Sequence, residues 1–143
     1  MTAPDTNTPK TPPATVRMVE DADATGLVRE VYDDIKATRG IDFVPNFWKT
    51  LAVHPPLLDD TWRRIKRVMA PGRLDALTKE MIAVAVSATN GCAYCVNSHT
   101  AAAQRLGLDA EGLGELMEVV ALFNATNALA EGYQIQPDVR PSL

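Results

Sequence analysis

Apolar residues recur along this chain at the three- and four-residue intervals of a helix, not at the two-residue alternation of a strand. Leu27, Val31 and Ile35 stand one turn apart; Asp23 is placed to cap that segment, and Gly40 follows its end near Thr38. Pro45 precedes a short segment, 46–53, that carries Phe47, Trp48 and Leu51. Pro55 and Pro56 sit where a helix begins, and Leu58, Trp62, Ile65 and Met69 mark one face of it before Pro71-Gly72. Asp75 can cap a helix running to about Ala88, Asn90-Gly91 is a break, and Cys92 to Leu106 reads as another helix closed by Gly107. Asp109 can cap a last stretch to about Glu131, where Gly112 and Gly114 weaken the first turns and allow two helices instead of one. No alternating run is bounded by hairpin turns. The expected class is therefore all-α, a bundle of about six to seven helices.

The periodicity fades at both ends. Residues 1–15 are rich in Pro and Thr and are expected to be a disordered tail; 16–135 form the helical domain; 136–143, with Pro137 and Pro141, form a C-terminal tail. The 143 residues fit a single domain of ordinary size. With 14 Lys and Arg against 18 Asp and Glu, the net charge of −4 argues against a nucleic-acid partner. The one basic run, Arg63-Arg64-Ile65-Lys66-Arg67, reads as a solvated helix face. No apolar stretch approaches membrane-spanning length, and the N-terminal segment lacks the apolar core of a secretory signal. Two cysteines cannot make the multi-bridge framework of a small secreted scaffold. A cytoplasmic protein without a membrane partner is expected.

One cluster carries chemistry: Cys92-Ala93-Tyr94-Cys95-Val96-Asn97-Ser98-His99. On a helix, Cys92, Cys95 and His99 fall within an arc of ~60°. The Asn90-Gly91 break puts Cys92 at the first turn, where unsatisfied N–H groups favour a thiolate. His99 lies four residues past Cys95, close enough to take its proton directly or through water. The spacing of the thiols also permits a reversible disulfide. On the preceding helix, Leu77, Met81, Val84 and Ala88 form an apolar stripe beside a face of Ala76, Glu80, Ala83 and Ser87. Small residues let another element approach there, so Glu80 becomes a carboxylate in a tight place that needs a hydrogen-bond partner. If the cysteine helix folds back on this face, Cys95, His99, a water and Glu80 make a proton relay.

Glu80, eleven residues, Cys92, two residues, Cys95, three residues, His99: this pattern resembles the AhpD-like alkylhydroperoxidase branch of the carboxymuconolactone decarboxylase family. Val44-Pro45-Asn46-Phe47-Trp48-Lys49-Thr50-Leu51-Ala52, the run from Leu77 to Ser87, and Ala121-Leu122-Phe123-Asn124-Ala125 resemble family segments as well. The resemblance implies an AhpD-like helical fold and a homo-oligomer, commonly a trimer or hexamer. It implies a peroxidase in which Cys95 attacks the peroxide, Cys92 resolves the sulfenic acid to a redox-active Cys92–Cys95 disulfide, and His99 and Glu80 form the relay. No other cofactor is implied; the partners are a peroxide and a thiol or dithiol reductant. Tyr94 departs from the pattern, since a well-studied family peroxidase has a second histidine there, and a phenol is a poor base near neutral pH. The residues themselves favour Cys92 as the more acidic thiol, whereas the family assigns attack to Cys95.

Blander readings stand beside this one. Two cysteines on a helix can be small buried apolar residues. Cys92, Cys95 and His99 supply one ligand too few for a structural zinc site, and His54 lies far off in a Pro-flanked loop, so no metal is expected. Phe47, Trp48 and Tyr94 are candidates for the pocket wall, although core or interface roles are simpler for the tryptophan and phenylalanine. Two other functions remain open: a non-enzymatic redox sensor or disulfide oxidoreductase module, and a lactone decarboxylase or isomerase that shares only the fold. The cysteine pair counts against the last.

Overall fold

The computed structural model describes residues 14–142. They contain six α-helices and a 3-10 turn at Asp21–Asp23, with no strand among the described residues. The protein is thus all-α, as its periodicity requires. The tail expected over 1–15 lies outside the described residues except for Ala14 and Thr15, while 136–142 carry no helix and are exposed. The chain divides into two compact units, one ending at Val68 and the other beginning at Met69.

The first unit holds α1 (Gly26–Arg39), α2 (Asn46–Leu51) and all but the last residue of α3 (Pro55–Met69). Val28, Val31, Tyr32 and Ile35 of α1 close over Trp48, Leu58 and Trp62, all of them buried. The ring centroids of Trp48 and Trp62 lie 5.2 Å apart, edge to face, a favoured aromatic geometry. Polar ends are satisfied: Tyr32 Oη donates to the Val19 carbonyl at 2.8 Å, and Trp62 Nε1 to Asp34 Oδ2 at 2.7 Å. Burial, reinforced by the charges of Glu20 and Asp21, pushes the Tyr32 phenol up to about 12. Lys66 and then Trp62, both donating to Asp34, hold its carboxyl below the usual range.

Two expectations for α1 need correction. Leu27 is 37% exposed, and Val28 takes its place in the buried stripe, because the ridge facing the tryptophans is Val28, Val31, Tyr32 and Ile35. Asp23 does not cap α1: it belongs to the 3-10 turn, and Thr25 is the N-cap residue, without a side-chain bond. Gly40 does close α1, in the left-handed conformation at φ 62° that glycine tolerates best. His54 proves to be a cap: its Nδ1 accepts from the Leu57 N–H at 3.2 Å at the start of α3.

The second unit holds α4 (Ala76–Thr89), α5 (Ala93–Arg105) and α6 (Ala110–Gly132). Asp75 and Asp109 cap α4 and α6 as expected, accepting from the Thr78 and Gly112 N–H groups at 2.8 Å each. α6 is one continuous helix of 23 residues, so the break allowed by Gly112 and Gly114 does not occur. Gly112 has a packing reason: a Cβ there would stand 3.0 Å from Leu108 Cδ1 and 3.3 Å from Asp109 Oδ1. α4 packs mainly on α5 and less extensively on α6. Val84, Ala103 and Leu108 are the buried apolar residues of this unit, and α6 buries none. Leu122 and Phe123 remain 59% and 57% exposed. Among the described residues, no helix is long and apolar enough to cross a membrane.

Candidate active site

The α4–α5 connection is built by its backbone. At the end of α4 the Gly91 N–H bonds the Ala88 carbonyl at 3.3 Å and the Cys92 N–H bonds the Ser87 carbonyl at 2.9 Å. These two bonds form a Schellman motif, with Gly91 in its left-handed position at φ 69°. The motif's last residue, Cys92, is at once the N-cap of α5. Its Sγ accepts the Cys95 N–H at 3.3 Å, taking the place of a capping oxygen. Cys92 is therefore the residue on which one helix ends and the next begins. Sequence reasoning placed it inside the first turn and did not foresee the role of the Ser87 carbonyl. The Asn90-Gly91 pair was the available signal.

Cys92 and Cys95 are joined in a disulfide, with Cα atoms 5.3 Å apart. One turn beyond Cys95 on α5, His99 Nδ1 meets Glu80 Oε2 of α4 at 2.6 Å. The face of small residues expected around Glu80 thus does receive the cysteine helix. The side chains of His99 and Glu80 are 28% and 16% exposed, so the pair is shielded but not sealed. Where Glu80 Oε2 is the acceptor of this bond, Nδ1 is its donor and Nε2 remains for a second partner. A carboxylate placed in this way can orient an imidazole and fix its tautomer. Among the described residues, no group of three His, Cys, Asp or Glu side chains is placed to hold a metal ion.

Tyr94 stands beside Cys95 in the same unit and is 46% exposed. Phe47 and Trp48 belong to the first unit, where Trp48 is buried in the core and Phe47 meets it edge to face at 5.0 Å. Glu80, Cys92, Cys95 and His99 lie together on α4 and at the start of α5.

The model of the carboxymuconolactone decarboxylase family matches residues 55–135, and the chain belongs to that family. Its likeness lies with the AhpD-like members. A crystal structure of an alkylhydroperoxidase AhpD core from Rhodospirillum rubrum is 47% identical, with a TM-score of 0.85 over 89% of this chain and 96% of that one. The alkyl hydroperoxide reductase AhpD of Streptomyces coelicolor is 28% identical over 117 residues, 79% of this chain and 65% of its own length. The (R)-2-haloacid dehalogenase of Pseudomonas putida is 28% identical over 106 residues, 74% of this chain and 35% of its own length. The chain therefore spans about two thirds of the first of these curated relatives and about a third of the second.

Proposed function

We propose that the protein is a thiol-dependent peroxidase that reduces hydrogen peroxide or small organic hydroperoxides. The observation that carries this reading is the coexistence of the Cys92–Cys95 pair and the 2.6 Å His99–Glu80 bond on the same two packed helices. In the reduced protein, His99 Nε2 takes the Cys95 proton, directly or through water, while Glu80 stabilises the imidazolium. The Cys95 thiolate attacks a peroxide oxygen; the S–O bond forms, the O–O bond breaks, and the departing alkoxide or hydroxide takes a proton. Cys92 then attacks the sulfenic sulfur, water leaves, and the disulfide closes. An external thiol or dithiol restores both thiols. The AhpD names of the relatives support the reaction class.

The exposed apolar residues of α6 and of α4, Phe123 and Val86 among them, support assembly with further copies of the chain. Sedimentation velocity is expected to return a trimer or hexamer, and a monomer at working concentration contradicts this.

A steady-state assay with a supplied dithiol tests the peroxidase reading. Cys95→Ser is expected to abolish peroxide-dependent dithiol oxidation; undiminished turnover in that variant overturns the assignment. A second reading, a redox sensor or disulfide oxidoreductase module using the same residues, is favoured by Tyr94 in place of a basic residue. Peroxide oxidation no faster than that of a free thiol, with a redox-dependent change in assembly, selects it.

A further inference from the structure

The two sulfurs of the disulfide are not equivalent. Cys92 Sγ accepts the Cys95 N–H at the N-terminus of α5, whereas among the described residues Cys95 Sγ accepts no hydrogen bond. Both cysteines are half-buried, so burial does not choose between them. The choice falls to the stability of the departing thiolate. In thiol–disulfide exchange the nucleophile forms a bond to one sulfur while the other leaves with the electron pair, and the better stabilised thiolate leaves faster. A helix N-cap supplies that stabilisation through the amide that already points at the sulfur and through the helix dipole.

Resting on the reading of Cys92–Cys95 as a redox-active pair, we infer that the reducing thiol attacks Cys95 and that Cys92 is the leaving group. The reductant thiolate bonds to Cys95 Sγ, the Cys92–Cys95 bond breaks, and Cys92 departs as the capped thiolate. The second thiol of a dithiol reductant then attacks its own sulfur in the mixed disulfide. Cys95 leaves as a thiolate, and the reductant, having given two electrons to the Cys92–Cys95 pair, departs as its own disulfide. His99 sits one turn from Cys95 and serves this second departure by returning a proton to that sulfur. The two thiols are thus governed by different devices. Backbone geometry holds Cys92 ready both to leave and, in the oxidative half, to attack the sulfenic acid, while the His99–Glu80 pair governs Cys95.

The amide that raises the thiolate population of Cys92 also makes it the better leaving group.

The test uses the oxidised full-length chain and the monothiol 2-mercaptoethanol, with no peroxide present. The exchange is quenched in acid within its first turnover, the freed thiol is alkylated with N-ethylmaleimide, and peptide mass mapping reads which cysteine carries which group. The expected product carries mercaptoethanol on Cys95 and the alkyl group on Cys92, in about tenfold or greater excess over the reverse, as a hydrogen bond to a charged group warrants. The same exchange on the chain unfolded in guanidinium is expected to lose the preference. Equal products, an excess on Cys92, or the same preference in the unfolded chain overturns the inference. Because peroxide is absent, a chain that exchanges with this preference but does not consume peroxide refutes only the peroxidase reading. A chain that forms no Cys92–Cys95 disulfide on oxidation refutes the redox pair itself.

Discussion

The two units of this protein handle apolar surface in opposite ways. In the first, α1 and α3 close over two tryptophans, and the polar ends of Tyr32 and Trp62 each find an acceptor. In the second, α6 runs for 23 residues and buries none of them, while α4 packs on α5 more extensively than on α6. The first unit resembles a core made for stability. The second commits its best packing to two helices that bring a carboxylate, an imidazole and two sulfurs together. Stability and chemistry are therefore addressed by different residues, and substitutions in the two units are expected to have separable consequences.

The largest effect is expected at the aromatic core. Trp62→Ala removes a buried indole and leaves Asp34 without one of its donors, so chemical denaturation is expected to show a loss of about 3–5 kcal/mol. A loss below about 1 kcal/mol would show that this core is not the main source of stability. On the other side of the comparison, Glu80→Ala is expected to lower peroxide turnover about 100-fold, the low end for a lost acid–base contribution. Stopped-flow oxidation of the reduced variant measures this. An unchanged rate would make the Glu80–His99 pair structural.

Tyr32 gives a smaller effect with a definite pH window. Burial raises its folded pKa to about 12 from the ordinary phenol value of 10.0, so the neutral phenol is the form that folding favours. Its contribution is complete below pH ~10 and is lost as pH rises towards ~12, a loss of about 2 kcal/mol. Urea unfolding across that range reads it, and Tyr32→Phe is expected to flatten the slope; an unchanged slope in the variant would refute the assignment. The smallest effect is at Asp34, whose pKa is lowered by its bonds to Lys66 and Trp62. Its stabilisation is present above the ordinary carboxylate pKa and fades as pH falls through the lowered value. With Asp34 and Lys66 both more than a third exposed, solvent screening limits the ion pair to about 1 kcal/mol or less. Asp34→Asn is expected to remove that part of the acid sensitivity, and a variant that keeps it would place the sensitivity elsewhere.

Much of this fold was legible because the helices begin and end on side chains that act locally. Asp75, Asp109 and Gly40 do what their residue types do at helix ends, whatever the tertiary setting. Leu27 and Val28 show the limit. Neighbouring apolar residues both fit a helical stripe, and only the position of Trp48 and Trp62 decides which one turns inward. Gly112 shows another, since a helix tolerates a glycine when the space for a Cβ is already filled by Leu108. At the candidate site, the i, i+3 and i, i+4 relations of Cys92, Cys95 and His99 follow from helix geometry, whereas their meeting with Glu80 was expected only from the small residues that let the cysteine helix fold back on α4. The capping of α5 by a sulfur was not legible, because it depends on where α4 stops, and so on a backbone turn. The expectations for Phe47 and Trp48 depended on tertiary neighbours that periodicity does not name.

The central claim is that the second unit's four residues perform peroxide chemistry. Stopped-flow oxidation of the reduced protein by hydrogen peroxide and by cumene hydroperoxide, with mass spectrometry of the product, tests it most directly. Rapid, saturable formation of a Cys92–Cys95 disulfide is the predicted result. Oxidation no faster than that of a free thiol, or a product lacking that disulfide, would contradict it.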